Sequence, residues 1–201
     1  MLAGHHPAFY RELVEAEGFT KHHDALAYDI GVLDDAGDFV SLPEGPAATA
    51  AGVDIPGLEV RSARWVRARR DLRLAHEVFV DAFRDVPENT PMPRSQFVSL
   101  GAGFLAFSNR HMLKLATVNG KAAGRHQAIV RADPSVGPLA MTRFLRGLRH
   151  IQTASFKLLG VLPEYRSTGL HALLIREAIE GIRSQGYRRL EASLVDERNG
   201  P

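Results

Sequence analysis

Apolar positions along this chain fall into two patterns, one with the period of a helix and one with that of a strand. The clearest helical row lies in residues 169–184, where Leu170, Leu174, Ala178 and Ile182 recur every fourth position and Gly186 follows as a stop signal. Ahead of it, residues 156–162 form a short apolar run closed by Pro163. Proline has no N–H to give a sheet ladder, so a strand is expected to end there. Beyond the helix, residues 190–195 alternate Leu190, Ala192 and Leu194 with Glu191, Ser193 and Val195. A strand, a helix and a second strand in so short a span predict a right-handed crossover between parallel strands.

The rest of the chain gives weaker versions of the same signals. Phe9, Leu13 and Ala16 share one helical face and Gly18 ends that helix, while residues 19–21 and 25–30 read as strands separated by a polar break. Residues 33–57 are rich in Gly, Pro and Ala without a sustained period. They read as a linker, longer than the loops of a compact domain and therefore a module boundary. The expected organisation is a helix–strand segment over 1–32, the linker 33–57 and a domain over 58–201. Within that domain, residues 58–65 predict a strand. Residues 71–83 predict a helix with Leu72, Ala75, Phe79, Ala82 and Phe83 on its core face. Residues 86–93, with three prolines, predict a loop, and residues 94–107 a second helix broken near Gly101 and Gly103. Residues 112–118 and 122–131 flank Asn119-Gly120, a pair suited to a type I′ hairpin turn.

Composition narrows the classes. The chain has 201 residues and 45% hydrophobic content, enough for a globular domain with attachments. No run approaches the ~18 uninterrupted apolar residues of a membrane span, and the N-terminus lacks the basic-then-apolar layout of a secretory signal, so a cytoplasmic protein is expected. The absence of cysteine rules out disulfides and thiolate metal sites. A formal charge of +2 is too mild to argue for nucleic acid. His5, His6, His22 and His23 form adjacent pairs without helical ligand spacing or a carboxylate cluster, so no metal is expected. Arg61, Arg64, Arg67, Arg69, Arg70 and Arg73 crowd one stretch, and Arg143, Arg146 and Arg149 another. Each reads either as a solvated face or as a lure for an anionic partner. Oligomeric state is left open.

The chemically distinctive stretch is Arg166-Ser167-Thr168-Gly169-Leu170-His171. It opens a helix, so its backbone N–H groups lack internal partners and lie at the positive end of the helix dipole. Small side chains at Ser167, Thr168 and Gly169 would let an anion such as a diphosphate approach the main chain. An ordinary glycine-containing turn with a hydroxyl cap has the same spacing.

Residues 161–174, VLPEYRSTGLHALL, resemble the acetyl-CoA signature of the GNAT N-acetyltransferase superfamily: Arg or Gln, two residues, Gly, one residue, then Gly or Ala. Arg166, Ser167, Thr168, Gly169 and Leu170 match, and His171 stands where the pattern has a small residue. The resemblance implies an α/β (α+β) fold: a mixed, mostly antiparallel sheet with a central parallel strand–helix–strand unit, flanked by helices. It implies that the backbone at Gly160, Val161 and Leu162 pairs with pantetheine, with an amide near Val161 or Leu162 polarising the acyl carbonyl. It further implies that the amides from Ser167 to His171 hold the pyrophosphate, that Asn199 contacts pantetheine, and that the loop in 86–92 selects the acceptor.

The implied reaction is transfer of an acetyl or other acyl group from acetyl-CoA to an amine of a small molecule or peptide by direct attack. Glu191 is the candidate base, since it alternates away from Leu190 and Ala192 on a strand beside the acyl slot, with a plain surface carboxylate as its alternative. Residues 5–30 further resemble the end of the first module in a family of tandem GNAT-like proteins. Val14 stands there in place of a tyrosine that often serves as general acid. By the same resemblance 58–201 lacks the last helix and strands of a full domain. Either residues 8–30 fold back over the exposed edge of 190–195, or that edge is closed by residues outside this sequence. A non-catalytic acyl-CoA-binding module and a Fem-type aminoacyltransferase are the alternative functions.

Overall fold

A computed structural model of the chain describes residues 7–34, 36–41, 43–84, 90, 92–107, 111, 113–130 and 152–197. Asn199, Arg143, Arg146, Arg149 and most of the 86–92 loop lie outside the described residues. The strands are β1 (Ala25–Gly31), β2 (Leu58–Ser62), β3 (Leu113–Val118), β4 (Lys121–Val130), β5 (Thr153–Val161) and β6 (Arg189–Asp196). They form one sheet in the order β1-β6-β5-β4-β3-β2, antiparallel throughout except for the parallel pair β5–β6. The helices are α1 (Phe9–Ala16), α2 (Glu44–Ala51), α3 (Ala68–Ala82), α4 (Arg94–Phe107) and α5 (Leu170–Ser184).

Helix α5 covers one face of the sheet, and the reason is its apolar row. Leu170, Leu174, Ala178 and Ile182 are each 0% exposed; Leu170 and Leu174 pack with Ala116, Ala123 and Val161 towards one end, and Ile182 with Ala154 and Leu190 towards the other. Burying side chains of this size contributes roughly 1.5–3 kcal/mol each for the large ones. Helices α3 and α4 lie on the opposite face. Leu72, Ala75 and Val78 of α3 are buried, while Phe79, Ala82 and Phe83 are half-buried, so the core face is rotated towards Val78 from the one the sequence suggests. Between β3 and β4, Asn119 (φ 50°) and Gly120 (φ 77°) both take positive φ, as the type I′ turn requires.

Three expectations are corrected. Helix α4 runs unbroken through Gly101 and Gly103. A Cβ at Gly101 would lie 2.6 Å from Leu72 Cδ2, so the missing side chain serves the contact between α3 and α4 rather than a break. Residues 19–21 are not a strand. Residues 33–57 contain α2, an alanine-rich helix with Pro46 in its first turn, where a missing N–H costs nothing. Helix α2 packs against the start of α5.

Strand β1 runs antiparallel along the outer edge of β6, from Ala25 opposite Asp196 to Gly31 opposite Arg189. The N-terminal segment thus covers the backbone edge of β6. Arg189 donates two hydrogen bonds to Asp29, at 3.0 and 2.6 Å, and Asp24 N–H donates to Glu197 Oε1 at 2.9 Å, which together hold the register.

Candidate active site

The site begins with an irregularity in β5. Leu158 lies opposite Gln127 of β4 and Phe156 opposite Ala128, which leaves Lys157 as an extra residue, a β-bulge. A bulge increases local twist and re-aims the strand. It also changes which face alternate residues occupy. Ala154 points at α5 before the bulge and Leu159 and Val161 do so after it, so Ser155 and Gly160 both lie on the face opposite α5, where Gly160 meets the end of α3.

At the same level, β5 parts from β6. The parallel ladder pairs Thr153 with Arg189, Ala154 with Leu190, Ser155 with Glu191 and Phe156 with Ala192, and ends there. Strand β5 continues through 157–161, bonded to β4 on its other side, while β6 continues alongside β1. The result is a wedge-shaped cleft closed at Phe156 and Ala192 and opening toward the C-terminal end of β5. Along it, 157–161 present a strand edge with no ladder to β6.

The open end leads to the turn the sequence singled out. Pro163–Thr168 form two turns of 3-10 helix, Gly169 takes φ +78°, and α5 starts at Leu170. Thr168 Oγ1 donates to Tyr165 O at 2.7 Å and fastens the turn. The first α5 hydrogen bond runs from Leu173 N–H to Gly169 O, so the N–H groups of Leu170, His171 and Ala172 have no carbonyl inside the helix to bond. These free helix-start donors at 170–172 overlap the 167–171 stretch at Leu170 and His171. A Cβ at Gly169 would come within 3.0 Å of Thr49 Cγ2 and 3.2 Å of Val53 Cγ2, so α2 and Val53, two residues past its end, cover that flank. Arg166, Ser167 and His171 are exposed.

The remaining candidates separate by role. Gly160 lies against Val78, Ala82 and Phe83, where a Cβ would approach within 3.2–3.3 Å, so its smallness lets the end of α3 sit close to β5. Val161 is buried beneath α5, and Leu162 N–H donates to Ala123 O at 3.0 Å. The Leu162 amide is thus committed to β4 and is not a donor for a ligand. Arg166 Nη2 donates to Ala82 O at 3.0 Å and ties the turn to the C-terminal end of α3. Glu191 is 8% exposed, on the face opposite Leu190, one residue before the cleft opens. Glu164 is exposed on the turn.

Two features of this face were not picked out in the sequence. Arg125 of β4 is buried, donates to Ala75 O at 3.2 Å and lies 5.1 Å from the Phe97 ring, and burial pushes its guanidinium down to about 10. Ser155 is 1% exposed and sits in register beside Glu191. Neither carries a local sequence signal, since each is one polar letter in a strand. Among the described residues no group of acidic, cysteine or histidine side chains has the arrangement of a metal site, and no helix is long and apolar enough to cross a membrane.

No protein-family model matches the chain. A bacterial ceramide synthase from Caulobacter vibrioides (strain NA1000 / CB15N) is 23% identical over 213 residues, which takes in 99% of this chain and 54% of that protein. Among solved structures, a GCN5-related N-acetyltransferase from Sphaerobacter thermophilus superposes with a TM-score of 0.64 and 18% identity, over 96% of this chain and 49% of that one. A GNAT family acetyltransferase from Brucella melitensis, solved in complex with acetyl-CoA, superposes with a TM-score of 0.46 and 18% identity, over 66% of this chain and 73% of that one. The chain spans about half the length of the first two relatives. With its mostly antiparallel sheet, its single parallel pair parting at a bulge and its helix-opening turn, the chain has the fold of the GCN5-related N-acetyltransferases (GNAT).

Proposed function

We propose that this chain is an acyl-CoA-dependent N-acyltransferase, passing an acetyl or other acyl group from a coenzyme A thioester to an amine of a small molecule or peptide. The observation that carries this reading is the cleft between β5 and β6, closed at Phe156 and Ala192 and leading at its open end to the unsatisfied amides of α5. A ligand with a diphosphate at one end and an amide-bearing arm at the other matches both parts. The N–H groups of Leu170, His171 and Ala172 suit the diphosphate. The strand edge 157–161 offers N–H and C=O groups to the arm, as a strand edge does to an added strand. Because the turn follows the C-terminal end of β5, the arm runs back down β5, and the thioester end lies toward the closed end.

The thioester supplies an activated acyl carbon and a good leaving group, and this chain supplies position and proton handling. Bulge and cleft hold the acyl end in the low-dielectric ground between two strands, out of bulk water. The amine nitrogen attacks the acyl carbon, its proton passes to the Glu191 carboxylate, and coenzyme A leaves as the thiolate. Ceramide is an N-acylated long-chain amino alcohol, so the name of the Caulobacter relative places long-chain amines among the acceptors to try.

Calorimetric titration with acetyl-CoA tests the cleft directly, and an absence of binding would end the proposal. A panel of small, peptide and long-chain amines, read by release of coenzyme A, then separates an enzyme from a binder. Glu191→Gln should lower turnover with the best acceptor by about 10²–10⁴-fold at unchanged acetyl-CoA affinity, the usual contribution of a general base. Unchanged turnover would remove Glu191 from the chemistry.

A further inference from the structure

Ser155 is 1% exposed, and among the described residues its hydroxyl has no hydrogen-bond partner. Buried polar atoms in folded proteins are almost always paired, because an unpaired one forfeits its hydration without return. A serine that keeps such a hydroxyl, in a strand where alanine would pack as well, calls for a reason.

Its position supplies one. Ser155 pairs in register with Glu191 across the last rungs of the parallel ladder, and the cleft opens immediately after the next rung, Phe156 with Ala192. In-register residues on adjacent strands sit about 4.8 Å apart with side chains on one face. That face is the one opposite α5, since Ala154 and Leu190 both pack toward Ile182. The hydroxyl and the carboxylate therefore stand side by side at the closed end of the cleft, the end at which the acyl group lies on the acyltransferase reading.

On that reading, we propose that Ser155 is a catalytic residue of the acceptor side, holding the attacking nitrogen and relaying its proton to Glu191. A hydroxyl both accepts and donates, which suits it to stand between an amine and a carboxylate. With the amine in place, its N–H donates to Ser155 Oγ, and the Ser155 hydroxyl, unbonded among the described residues, turns to donate to Glu191. As the nitrogen bonds to the acyl carbon, its proton moves to Ser155 Oγ and the serine proton moves to the carboxylate. Serine emerges unchanged, Glu191 carries one proton, and the electron pair of the broken C–S bond leaves with coenzyme A.

The test compares the wild-type chain with Ser155→Ala, using acetyl-CoA as donor and hydroxylamine as a small nucleophile that needs no acceptor pocket. Coenzyme A release is followed with a thiol reagent, acetyl-CoA affinity by calorimetry, and melting temperature by circular dichroism. The variant should release coenzyme A at least tenfold more slowly, with the KM and Kd for acetyl-CoA unchanged. Its melting temperature should be unchanged or raised, since an unpaired buried hydroxyl has been removed. A fall of several degrees would show that the hydroxyl has a structural partner such as a buried water, and would overturn the assignment. An unchanged rate would overturn it too, as would a wild-type chain that binds acetyl-CoA yet releases none of its coenzyme A to hydroxylamine. A wild-type chain that fails to bind acetyl-CoA at all would instead remove the acyltransferase reading, and Ser155 with it.

Discussion

Gly169→Glu is expected to abolish acetyl-CoA binding and to lower the melting temperature, whereas His171→Glu is expected to weaken binding about tenfold or more with the melting temperature held or slightly raised. The glycine carries both burdens because it takes φ +78°, a region that costs a residue with a Cβ roughly 1–2 kcal/mol. A Cβ there would also meet Thr49 Cγ2 at 3.0 Å and Thr49 O at 3.1 Å, so α2 has to shift. Lost binding in that variant alone therefore mixes damage to the turn with loss of the anion seat. His171 separates the two. It is exposed in the first turn of α5 at a position with no Cβ conflict, and a carboxylate at a helix N-terminus favours the helix by about 0.3–1 kcal/mol. The same charge sits where a diphosphate would come to rest. Repulsion between charges about 4 Å apart is of order 1–4 kcal/mol between bulk water and a protein surface, and 1.4 kcal/mol is a factor of ten. Stability and affinity should thus move in opposite directions in one variant, and added salt should narrow the affinity gap. Unaltered affinity in His171→Glu would place the anion somewhere other than the start of α5.

The elements legible in the sequence are those whose packing is local and strongly periodic. The row Leu170, Leu174, Ala178 and Ile182 can bury itself only as a helix, and all four side chains are fully buried. Asn119-Gly120 forces positive φ twice, so the hairpin followed from two letters. Helix α2 escaped notice because its surface is made of alanine and threonine. A helix that packs through small residues against the start of another helix has little apolar contrast for a periodicity to show. Gly101 misled in the opposite sense. Propensity reads it as a helix break, but contact with Leu72 outweighs the roughly 0.5–1 kcal/mol that glycine costs a helix.

The geometry that makes a site was the least legible part. Strict alternation along 154–161 puts Ala154 and Val161 on opposite faces. The bulge at Lys157 puts both against α5 and brings Ser155 and Gly160 together on the other face. Nothing in an apolar run marks which residue will be the extra one, because the bulge is decided by β4 across the ladder. The covering of β6 by β1 spans most of the chain and rests on a register no local pattern specifies. The proposed diphosphate seat is legible in the sequence because its chemistry is local: a glycine at the mouth of a helix.

Asp71→Asn should cost about 3–5 kcal/mol of stability, the usual price of breaking a buried ion pair by removing one partner. For a chain of this size that is a fall in melting temperature of roughly 6–20 °C, at about 2–4 °C per kcal/mol. Asp71 is 0% exposed and accepts from Arg61 Nη2 at 2.7 Å, Arg61 Nη1 at 3.0 Å and Arg64 N–H at 3.0 Å. It joins β2 to the first turn of α3 and takes Arg61 out of the arginine cluster, whose members Arg64, Arg67, Arg69, Arg70 and Arg73 remain exposed. Burial pulls the Asp71 carboxyl upward, but the Arg61 and Arg64 hydrogen bonds and the charges of Arg61 and Arg67 outweigh it, and the carboxyl is held below its ordinary value. A carboxyl lowered on folding stabilises fully above its unfolded value, near 3.9, and loses that contribution as pH falls through the lowered folded value. The gap in stability between wild type and Asp71→Asn should therefore be constant between about pH 5 and 8 and shrink in acid below the unfolded value. Asparagine keeps the shape and one acceptor but leaves the Arg61 guanidinium half-buried without its counter-charge, so the loss is electrostatic rather than one of packing. Melting curves across that pH range decide it: a gap that stays the same down to pH 2 would mean that Asp71 holds β2 to α3 through shape alone.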